Sequence, residues 1–263
     1  MRICSIASGS SGNCIYVGDE HTHVLVDTGI SKKRIEEGLK DLDVKGDELD
    51  GIFITHEHAD HIQGLRVLAS KYHLPVFASA GTLQKLQQDG CLSGEFLAEE
   101  IPRGGLDFAG MSFQPFPTSH DSAESVGYRI DTLDGAQIGF ATDLGMVTPE
   151  VTAHLERCKM VVLESNHDVG MLQNGSYPYP LKRRILSEQG HLSNEACAGC
   201  LPKLVETGTS QILLAHLSEE NNTPDVARQT ALCSLQMAGW EEHRHFQLLT
   251  AQKENVQGRS IEV

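Results

Sequence analysis

The chain has 263 residues, of which 40% are hydrophobic and 22% are charged, so it is long enough to bury a full core. Its 36 acidic and 21 basic residues give a formal charge of −15, which argues against a protein that coats nucleic acid with a broad basic surface. This charge does not exclude an enzyme whose local field comes from bound metal ions.

The sequence contains neither an apolar run of roughly eighteen residues nor a signal-peptide pattern over its first residues, Met1–Cys14, so no membrane partner is expected. Seven scattered cysteines, an odd number, are typical of free thiols in a reducing compartment. These two features predict a cytoplasmic location. No repeat or linker interrupts the chain, which favours a single domain over residues 1–263.

Short apolar, β-branched runs predict strands in chain order. They are Arg2–Ser5, Cys14–Val17, Val24–Asp27, Gly51–Thr55, Pro75–Ala78, Met111–Pro117, Ser125–Asp131, Gln137–Thr142, Met160–Glu164 and Gln211–Ala215. Segments with helical periodicity lie between or after them. They are Ser31–Leu42, His61–Lys71, Ser79–Gln88, Pro180–Ser187, Ser193–Glu206 and Pro224–Ala238. The expected class is a mixed α/β protein.

The helix over Ser193–Glu206 carries two special features. Pro202 lies inside it and is expected to kink the helix or to mark a shorter one. Cys197 and Cys200 form a single Cys-x-x-Cys without the second pair that a tetrahedral zinc site needs. Their spacing relative to Leu201 predicts a buried apolar stripe instead.

Histidine and aspartate recur at the ends of the predicted strands. Asp27, His56, His120, Asp143 and His216 each follow such a strand directly or within a few residues. Side chains presented from several strand ends converge on one cleft. The densest group is Thr55–His61, which reads Thr-His-Glu-His-Ala-Asp-His. Four ligands in six residues cannot all reach one small cation, so this turn predicts two adjacent ions.

This combination resembles the metallo-β-lactamase superfamily, in which the same motif is followed by an isolated His, a bridging Asp and a terminal His. The resemblance implies a four-layer αβ/βα sandwich of two mixed β-sheets flanked by helices. It also implies how the ligands divide between the two ions. His56, His58 and His120 would hold the first ion, Asp60, His61 and His216 the second, and Asp143 would bridge them, while Asp27 orients a ligand imidazole.

Two such ions lower the pKa of a bridging water and neutralise charge on the scissile group, so a bridging hydroxide is the expected nucleophile. Asp60 is the residue expected to orient or deprotonate that water. Imidazole and carboxylate ligands suit Zn²⁺, and a carboxylate bridge also tolerates Mn²⁺.

The fold alone does not name a substrate. By the resemblance, an Asp at position 143 separates the chain from lactamases and leaves thioesterases and phosphodiesterases. Gly190–Asn194 followed by a strand and His216-Leu217-Ser218 is similar to the ribonuclease Z pattern. In that pattern His191 would protonate the leaving oxygen or clamp a phosphate oxygen.

Four further blocks are similar to proteins of the YycJ/WalJ type, which are implied to be 5′-to-3′ DNA exonucleases. They are Gly9–Cys14, Glu164–Asp168, Tyr177–Ile185 and Glu219–Asn222. Candidate contacts to a DNA substrate come mainly from these blocks, and they are Ser11, Asn13, Asn166, His167, Lys182, Arg183, Arg184 and Ser193. The segment from Asp143 to His216 is too short for the inserted β-CASP domain of related ribonucleases.

Two other functions stay open at this point. A small-molecule hydrolase, either a cyclic phosphodiesterase or a thioesterase, would use the same ligands, and a metal-stabilised binding module would use them without catalysis. The sequence does not predict an oligomeric state.

Overall fold

The computed structural model describes residues 1–133, 135–255 and 260–263. No helix in these ranges combines the length and the apolar character needed to cross a bilayer. The strands are β1 (Arg2–Ala7), β2 (Cys14–Gly18), β3 (His23–Val26), β4 (Gly51–Phe53), β5 (Val76–Ala78), β6 (Ala98–Glu100), β7 (Leu106–Phe108), β8 (Met111–Pro117), β9 (Val126–Asp131), β10 (Gln137–Ala141), β11 (Met160–Glu164), β12 (Gln211–Ala215), β13 (Gln247–Thr250) and β14 (Ile261–Glu262). The helices are α1 (Lys32–Lys40), α2 (Ala59–Ile62), α3 (Leu65–Tyr72), α4 (Ala80–Gln88), α5 (Pro149–Leu155), α6 (Val169–Asn174), α7 (Tyr179–Ile185), α8 (Asn194–Glu206) and α9 (Pro224–Met237).

In the described part of the chain, the strands form two seven-stranded sheets with the orders β14-β1-β2-β3-β4-β5-β6 and β13-β12-β11-β10-β9-β8-β7. Both sheets contain parallel and antiparallel pairs. The predicted class of two mixed sheets flanked by helices is therefore confirmed. The chain divides into two compact units, the first over Met1–Pro115, Ser122–Val126 and Gln252–Val263, and the second over Phe116–Asp121 and Gly127–Ala251. Whether they behave as one domain remains a prediction.

In the first unit, β1, β2 and β3 form an antiparallel meander, and β3, β4, β5 and β6 run parallel. Helices α1, α3 and α4 contribute buried leucines such as Leu39, Leu68 and Leu86 to its core. Because neighbouring parallel strands end at the same edge of a sheet, the residues after β3 and those after β4 lie close together. Asp27 and the turn that starts at Thr55 are these residues.

In the second unit, β10, β11, β12 and β13 run parallel, and β9 pairs with β10 in the antiparallel sense. The buried strand residues and the buried faces of α5, α8 and α9 form its core. Three neighbouring strands, β10, β11 and β12, thus end side by side. Asp143 follows the first, Glu164 is the last residue of the second, and His216 follows the third.

Every strand segment that the sequence predicted contains a strand in the structure. The differences lie in short or polar elements: β6, β7, β13, β14, α5 and α6 were not predicted. The helix predicted over His61–Lys71 is two helices, α2 and α3, which are separated near Gly64. A Cβ atom at Gly64 would lie 2.3 Å from the carbonyl oxygen of Ile30, so the chain packs too closely there for any other residue.

Helix α8 continues past Pro202 for its full thirteen residues. Of the two expected outcomes, a kink or a shorter helix, the shorter helix was therefore wrong, and the kink stays a prediction. Proline lacks an N–H, and the carbonyl four residues earlier therefore loses its helical partner. That carbonyl belongs to Ala198, and it accepts a hydrogen bond from Ser234 Oγ of α9 at 2.8 Å. A neighbouring helix thus replaces the missing donor.

The cysteines of α8 belong to the apolar core, as their helical spacing predicted. Cys197 is fully buried within the core of the second unit, and Cys200 packs against that core. Burial raises the pKa of Cys197 well above its ordinary value and that of Cys200 to about 12. Both side chains are free thiols, and these shifts keep them protonated at neutral pH.

Candidate metal centre

The first cluster of predicted ligands follows β4 in the first unit and contains His56, His58, Asp60 and His61. His56 and His61 are fully buried, while His58 and Asp60 are partly exposed. The His56 ring lies with its centroid 4.6 Å from that of His58 and 4.1 Å from that of His61. His61 Nε2 lies 3.6 Å from Asp60 Oδ2. The turn therefore holds three imidazoles and a carboxylate together.

Asp27 fixes the orientation of two rings in this cluster. Its Oδ2 atom lies 2.8 Å from His61 Nδ1 and accepts a hydrogen bond from Thr55 Oγ1 at 2.9 Å. Because the threonine hydroxyl donates to Asp27, it accepts from His56 Nδ1 at 3.0 Å. Both imidazoles carry their proton on Nδ1, and each keeps the lone pair of Nε2 for another partner.

Close backbone packing fixes the position of Asp60. Its carbonyl oxygen accepts from Asn13 N at 2.8 Å, and Asn13 O accepts from Gly29 N at 2.7 Å. A Cβ atom at Gly29 would lie 1.6 Å from the Asp60 carbonyl oxygen. Only glycine permits this approach, so the Asp-Thr-Gly sequence after β3 serves both to orient His61 and to position Asp60.

The Asn13 side chain also touches the cluster. Its Nδ2 atom lies 3.0 Å from His61 Nε2 and 3.5 Å from Asp60 Oδ2, while its Oδ1 atom accepts from Gly9 N at 2.9 Å. The amide therefore donates to the His61 nitrogen that the sequence assigned to an ion. An ion that binds to this nitrogen displaces the contact.

A second cluster lies in the second unit, at the ends of β10, β11 and β12. Asp143, Glu164, His191 and His216 each offer a ligand atom, these atoms lie within 4.8 Å of one another, and the group has the composition of a metal site. Asp143 Oδ1 lies 3.5 Å from His216 Nδ1 and 3.7 Å from His191 Nδ1. Three of the four were expected from the sequence, and Glu164 was not.

Glu164 accepts four hydrogen bonds while fully buried. Its Oε1 atom accepts from His216 Nδ1 at 2.7 Å and from His191 Nδ1 at 2.8 Å. Its Oε2 atom accepts from the backbone N–H groups of Leu144 at 2.9 Å and Leu192 at 3.1 Å. One carboxylate thus orients two imidazoles and joins the three loops that carry Asp143, His191 and His216.

Glu164 was missed because the strand-end pattern in the sequence was defined by His and Asp and did not include Glu. Glu164 ends the apolar strand β11, where an unpaired carboxylate would be costly to bury. A carboxylate at the end of a buried strand was therefore the sequence feature that could have identified Glu164.

Burial and charge act in opposite directions on these groups. Burial works to raise the pKa of Glu164, but the two imidazoles at its Oε1 atom lower it to about 2. Burial works to lower the pKa of His191, and the neighbouring Glu164 carboxylate outweighs it, so this pKa is raised. At His120 burial outweighs the opposing effect of the Asp143 carboxylate, so the pKa of this histidine is lowered.

His120 lies in the second unit, where its Nδ1 atom lies 3.0 Å from the carbonyl oxygen of Gly190. Its Nε2 atom lies 3.8 Å from Asp143 Oδ1, and its ring centroid lies 5.1 Å from that of His191. A carbonyl oxygen can only accept a hydrogen bond, so the proton of His120 is on Nδ1. The nitrogen that points to Asp143 is the unprotonated one.

Three of the predicted site residues have left-handed backbone conformations. The φ angles are 62° at Asp27, 56° at Asp143 and 55° at His216. Asp27 and His216 directly follow β3 and β12, and Asp143 lies two residues after the end of β10. A non-glycine residue in this region costs about 1 kcal/mol or more, and such conformations concentrate at functional sites.

Like Asn13, four further predicted substrate contacts are engaged within the protein. Asn166 Nδ2 donates to the His216 carbonyl oxygen at 2.9 Å, and Ser193 Oγ caps α8 by accepting from Ala196 N at 3.2 Å. Lys182 Nζ donates to the carbonyl oxygens of Gln173 and Gly175 at 2.9 and 2.7 Å. Arg184 Nη2 bonds Asp121 Oδ1 at 2.9 Å. These side chains support loops of the second unit.

His167, Ser11 and Arg183 differ from them. His167 is buried, burial lowers its pKa, and neither ring nitrogen has a hydrogen-bond partner among the described residues. Ser11 and Arg183 are exposed. Within the predicted basic run, Arg183 is therefore exposed to solvent, while Lys182 and Arg184 form hydrogen bonds with other residues of the protein.

The donor atoms fit divalent metal ions. His56, His61, His120 and His216 each use Nδ1 for a hydroxyl, carboxylate or carbonyl oxygen. Metal-binding histidines almost always engage their second nitrogen in this way, which fixes the ring and exposes the other lone pair. Imidazole nitrogen together with carboxylate oxygen suits Zn²⁺ and Mn²⁺.

Two mixed sheets with imidazoles and carboxylates after their strands define a metallo-β-lactamase fold. The chain belongs to the β-lactamase superfamily, because the family model described as "Beta-lactamase superfamily domain" matches residues 22–217.

Relatives in two bacteria share most of this length. Exodeoxyribonuclease YycJ of Bacillus anthracis is 36% identical over 94% of both chains. Exodeoxyribonuclease WalJ of Streptococcus pneumoniae serotype 2 is 37% identical over 89% of this chain and 87% of its own. The crystal structure of the metallo-β-lactamase fold protein YhfI of Bacillus subtilis has a TM-score of 0.73 at 16% identity, and the match covers 96% of this chain and 97% of YhfI. This last likeness supports the fold alone.

Proposed function

We propose that this protein is a metal-dependent exonuclease that hydrolyses phosphodiester bonds in DNA in the 5′-to-3′ direction. The observation that carries the proposal is the buried imidazole–carboxylate cluster around Glu164 in a chain that aligns with an exodeoxyribonuclease over 94% of both lengths. The cluster supplies the chemistry of a metal-dependent hydrolase, and the relatives supply the substrate class. The free cysteines suit a reducing compartment, so we place the activity in the cytoplasm.

The assignment of the ligands follows the family resemblance. By that resemblance, His56, His58 and His120 would hold one divalent ion, Asp60, His61 and His216 would hold a second, and Asp143 would be shared between them. Bound Mn²⁺ or Zn²⁺ supplies positive charge beside the phosphate and lowers the pKa of a water molecule. The residues of the chain then position the reacting groups.

Asp60 and His191 move the protons in this proposal. Asp60 orients the attacking water and takes a proton from it as the water oxygen forms its bond to phosphorus. His191 donates its Nδ1 proton to Glu164 in a hydrogen bond, so the nitrogen left for the substrate is Nε2. From Nε2, His191 gives a proton to the leaving oxygen. Glu164 acts as a positioning residue for His191 and His216.

The test uses the full-length protein after metal analysis, with Mn²⁺ and Zn²⁺ added separately. Timed digestion of 5′- and 3′-labelled single-stranded DNA, duplex DNA and RNA reports substrate and direction together. We expect short products from the 5′ end of DNA and complete loss of cleavage with a chelator or with Asp143→Asn. A protein that leaves all labelled nucleic acids intact and hydrolyses a cyclic phosphodiester or a thioester is instead a small-molecule hydrolase.

A further inference from the structure

A groove of about 680 Å³ lies in the first unit beside Asp60. Its lining combines the loop after β1, the end of α2, the start of α3 and the end of α4. The lining residues are Ser10, Ser11, Ala59, Asp60, Ile62, Gln63, Arg66 and Asp89–Cys91. This volume falls in the range of sites that bind small molecules or single nucleotide units. Apart from Asp60, none of these lining residues belongs to either of the two clusters.

The loop that carries Ser10 and Ser11 is held rigidly against Asp60. Gly12 N donates to Gly9 O at 2.9 Å, and Asn13 Oδ1 accepts from Gly9 N at the same distance. Asn13 N in turn donates to Asp60 O at 2.8 Å. Both glycines have positive φ angles, 126° and 147°, so the sequence Gly-Ser-Ser-Gly fits this turn. The backbone that carries the two exposed hydroxyls is therefore held next to a proposed metal ligand.

Among the described residues that line the groove, Arg66 is the one with a basic side chain. It is exposed, and among the described residues it forms no ion pair and no hydrogen bond. The acidic Asp89 of the same lining is already paired with Lys85 Nζ at 2.8 Å. In a chain with a net charge of −15, a polyanionic substrate needs local positive charge to approach the cleft. Arg66 supplies it, and its guanidinium matches phosphate oxygens in geometry.

We propose that this groove binds the sugar–phosphate backbone of the substrate strand next to the cleaved bond. The Arg66 guanidinium binds a phosphate in two hydrogen bonds, and the hydroxyls of Ser10 and Ser11 bind oxygens of the same backbone. Contacts of this kind fix the register of a strand without reading its bases. This proposal rests on the nuclease activity proposed above and names the surface that holds the nucleic acid.

The variants Arg66→Ala and Arg66→Lys test the proposal. The matched control is Arg103→Ala in the same unit, which removes the same charge from a side chain that is 95% exposed and pairs with Glu124 at 3.4 Å. Three quantities are measured for each: kcat/KM on a labelled oligonucleotide at several salt concentrations, kcat/KM on a chromogenic phosphodiester, and bound metal.

With Arg66→Ala we expect kcat/KM on DNA to fall about tenfold to a hundredfold more than kcat/KM on the small diester, as for the loss of a charge-assisted pair of hydrogen bonds. The slope of log KM against log salt concentration should decrease by about one, because one phosphate contact is gone. Arg66→Lys should recover the salt dependence of KM but only part of kcat/KM on DNA. Metal content should equal that of the wild type.

Equal DNA cleavage by Arg66→Ala and Arg103→Ala, with unchanged salt slopes, would overturn the groove proposal while leaving the nuclease assignment intact. A wild-type protein that does not cleave DNA at all would overturn both, and this outcome is visible before any variant is made.

Discussion

Glu164 Oε1 lies 2.7 Å from His216 Nδ1, and its other oxygen accepts two backbone N–H groups. Together with His191 Nδ1, these groups give the Glu164 carboxylate four donors, which explains why a charged side chain is tolerated with no solvent exposure. They also make Glu164 the residue on which the alignment of His191 and His216 depends.

Replacement of Glu164 by Gln tests this dependence. The new amide presents a donor either to the backbone N–H groups or to the imidazoles, so at least one buried donor loses its acceptor. We expect the free energy of unfolding to fall by about 1–3 kcal/mol and the affinity for Mn²⁺ or Zn²⁺ to fall roughly tenfold to a hundredfold. Urea unfolding and calorimetric metal titration measure the two effects. Glu206→Gln, at a side chain that is 62% exposed, is the control, and equal behaviour of the two variants contradicts the role.

Gly29→Ala probes the packing that positions Asp60. Because the added Cβ atom would lie 1.6 Å from the Asp60 carbonyl oxygen, the turn after β4 must move. We expect a loss of roughly 1–3 kcal/mol in unfolding free energy together with weaker metal binding and loss of hydrolysis. Gly104→Ala is the matched control, since no atom lies within 4 Å of its added Cβ. Normal metal binding by Gly29→Ala would show that Asp60 does not need this contact.

Ser234→Ala removes the donor that replaces the missing N–H of Pro202. The Ala198 carbonyl then has neither a helical nor a side-chain donor, and we expect a cost of about 1 kcal/mol in unfolding free energy. In a Pro202→Ala background the helix supplies its own N–H, so the same serine substitution should cost less. A double-mutant cycle by urea unfolding measures the difference. Identical costs in both backgrounds would show that the two residues act independently.

Glu36→Gln tests a surface network on α1. Hydrogen bonds from Lys71 Nζ at 2.7 Å and Tyr72 OH at 2.6 Å lower the pKa of Glu36 from its ordinary value of 4.5 to about 2. A lowered pKa in the folded state stabilises the protein above pH 4.5, and this stabilisation is lost as the pH falls from 4.5 through about 2.

We therefore expect Glu36→Gln to lower the free energy of unfolding by about 1 kcal/mol or less at pH 7, and the difference from wild type to shrink below pH 4.5. Glu37→Gln is the neighbouring control, because Glu37 approaches Lys33 only to 3.8 Å with both side chains largely exposed. Unfolding curves collected from pH 7 to pH 3 decide the matter. A constant difference across that range would argue that the charge of Glu36 is not involved.

The buried strands were predictable because short runs of β-branched, apolar residues favour a buried strand over other secondary structures. The missed strand β6 has the sequence Ala-Glu-Glu with every residue exposed, so its pairing with β5 gives no hydrophobic signal. The short helices α5 and α6 begin after the capping residues Thr148 and Asp168. Each buries only one or two side chains, which is too few to show helical periodicity in the sequence. Such elements depend on tertiary contacts that a single sequence does not display.

Much of the candidate site was predictable, because its residues are the polar exceptions at the ends of apolar strands. The orientation of the imidazoles was harder to predict, since it depends on Glu164, Thr55 and the Gly190 carbonyl, which are distant in sequence from the rings they hold. The roles of Lys182 and Arg184 were also not predictable. Their partners, the carbonyls at the C-terminal end of α6 and the Asp121 carboxylate, are known only once the loops are placed.

At Asp27, Asp143 and His216 the left-handed backbone conformation is unfavourable for folding, whereas the side chain serves the proposed site. Glycine would adopt the same backbone angles without strain, so replacement there relieves conformational energy while it deletes a ligand or its support. At Asp27 the same replacement would leave Thr55 Oγ1 and His61 Nδ1 without their acceptor, at a cost of about 1–3 kcal/mol, so a screen for thermal resistance alone gains little by removing the strain. Selection for turnover would keep the strained residues.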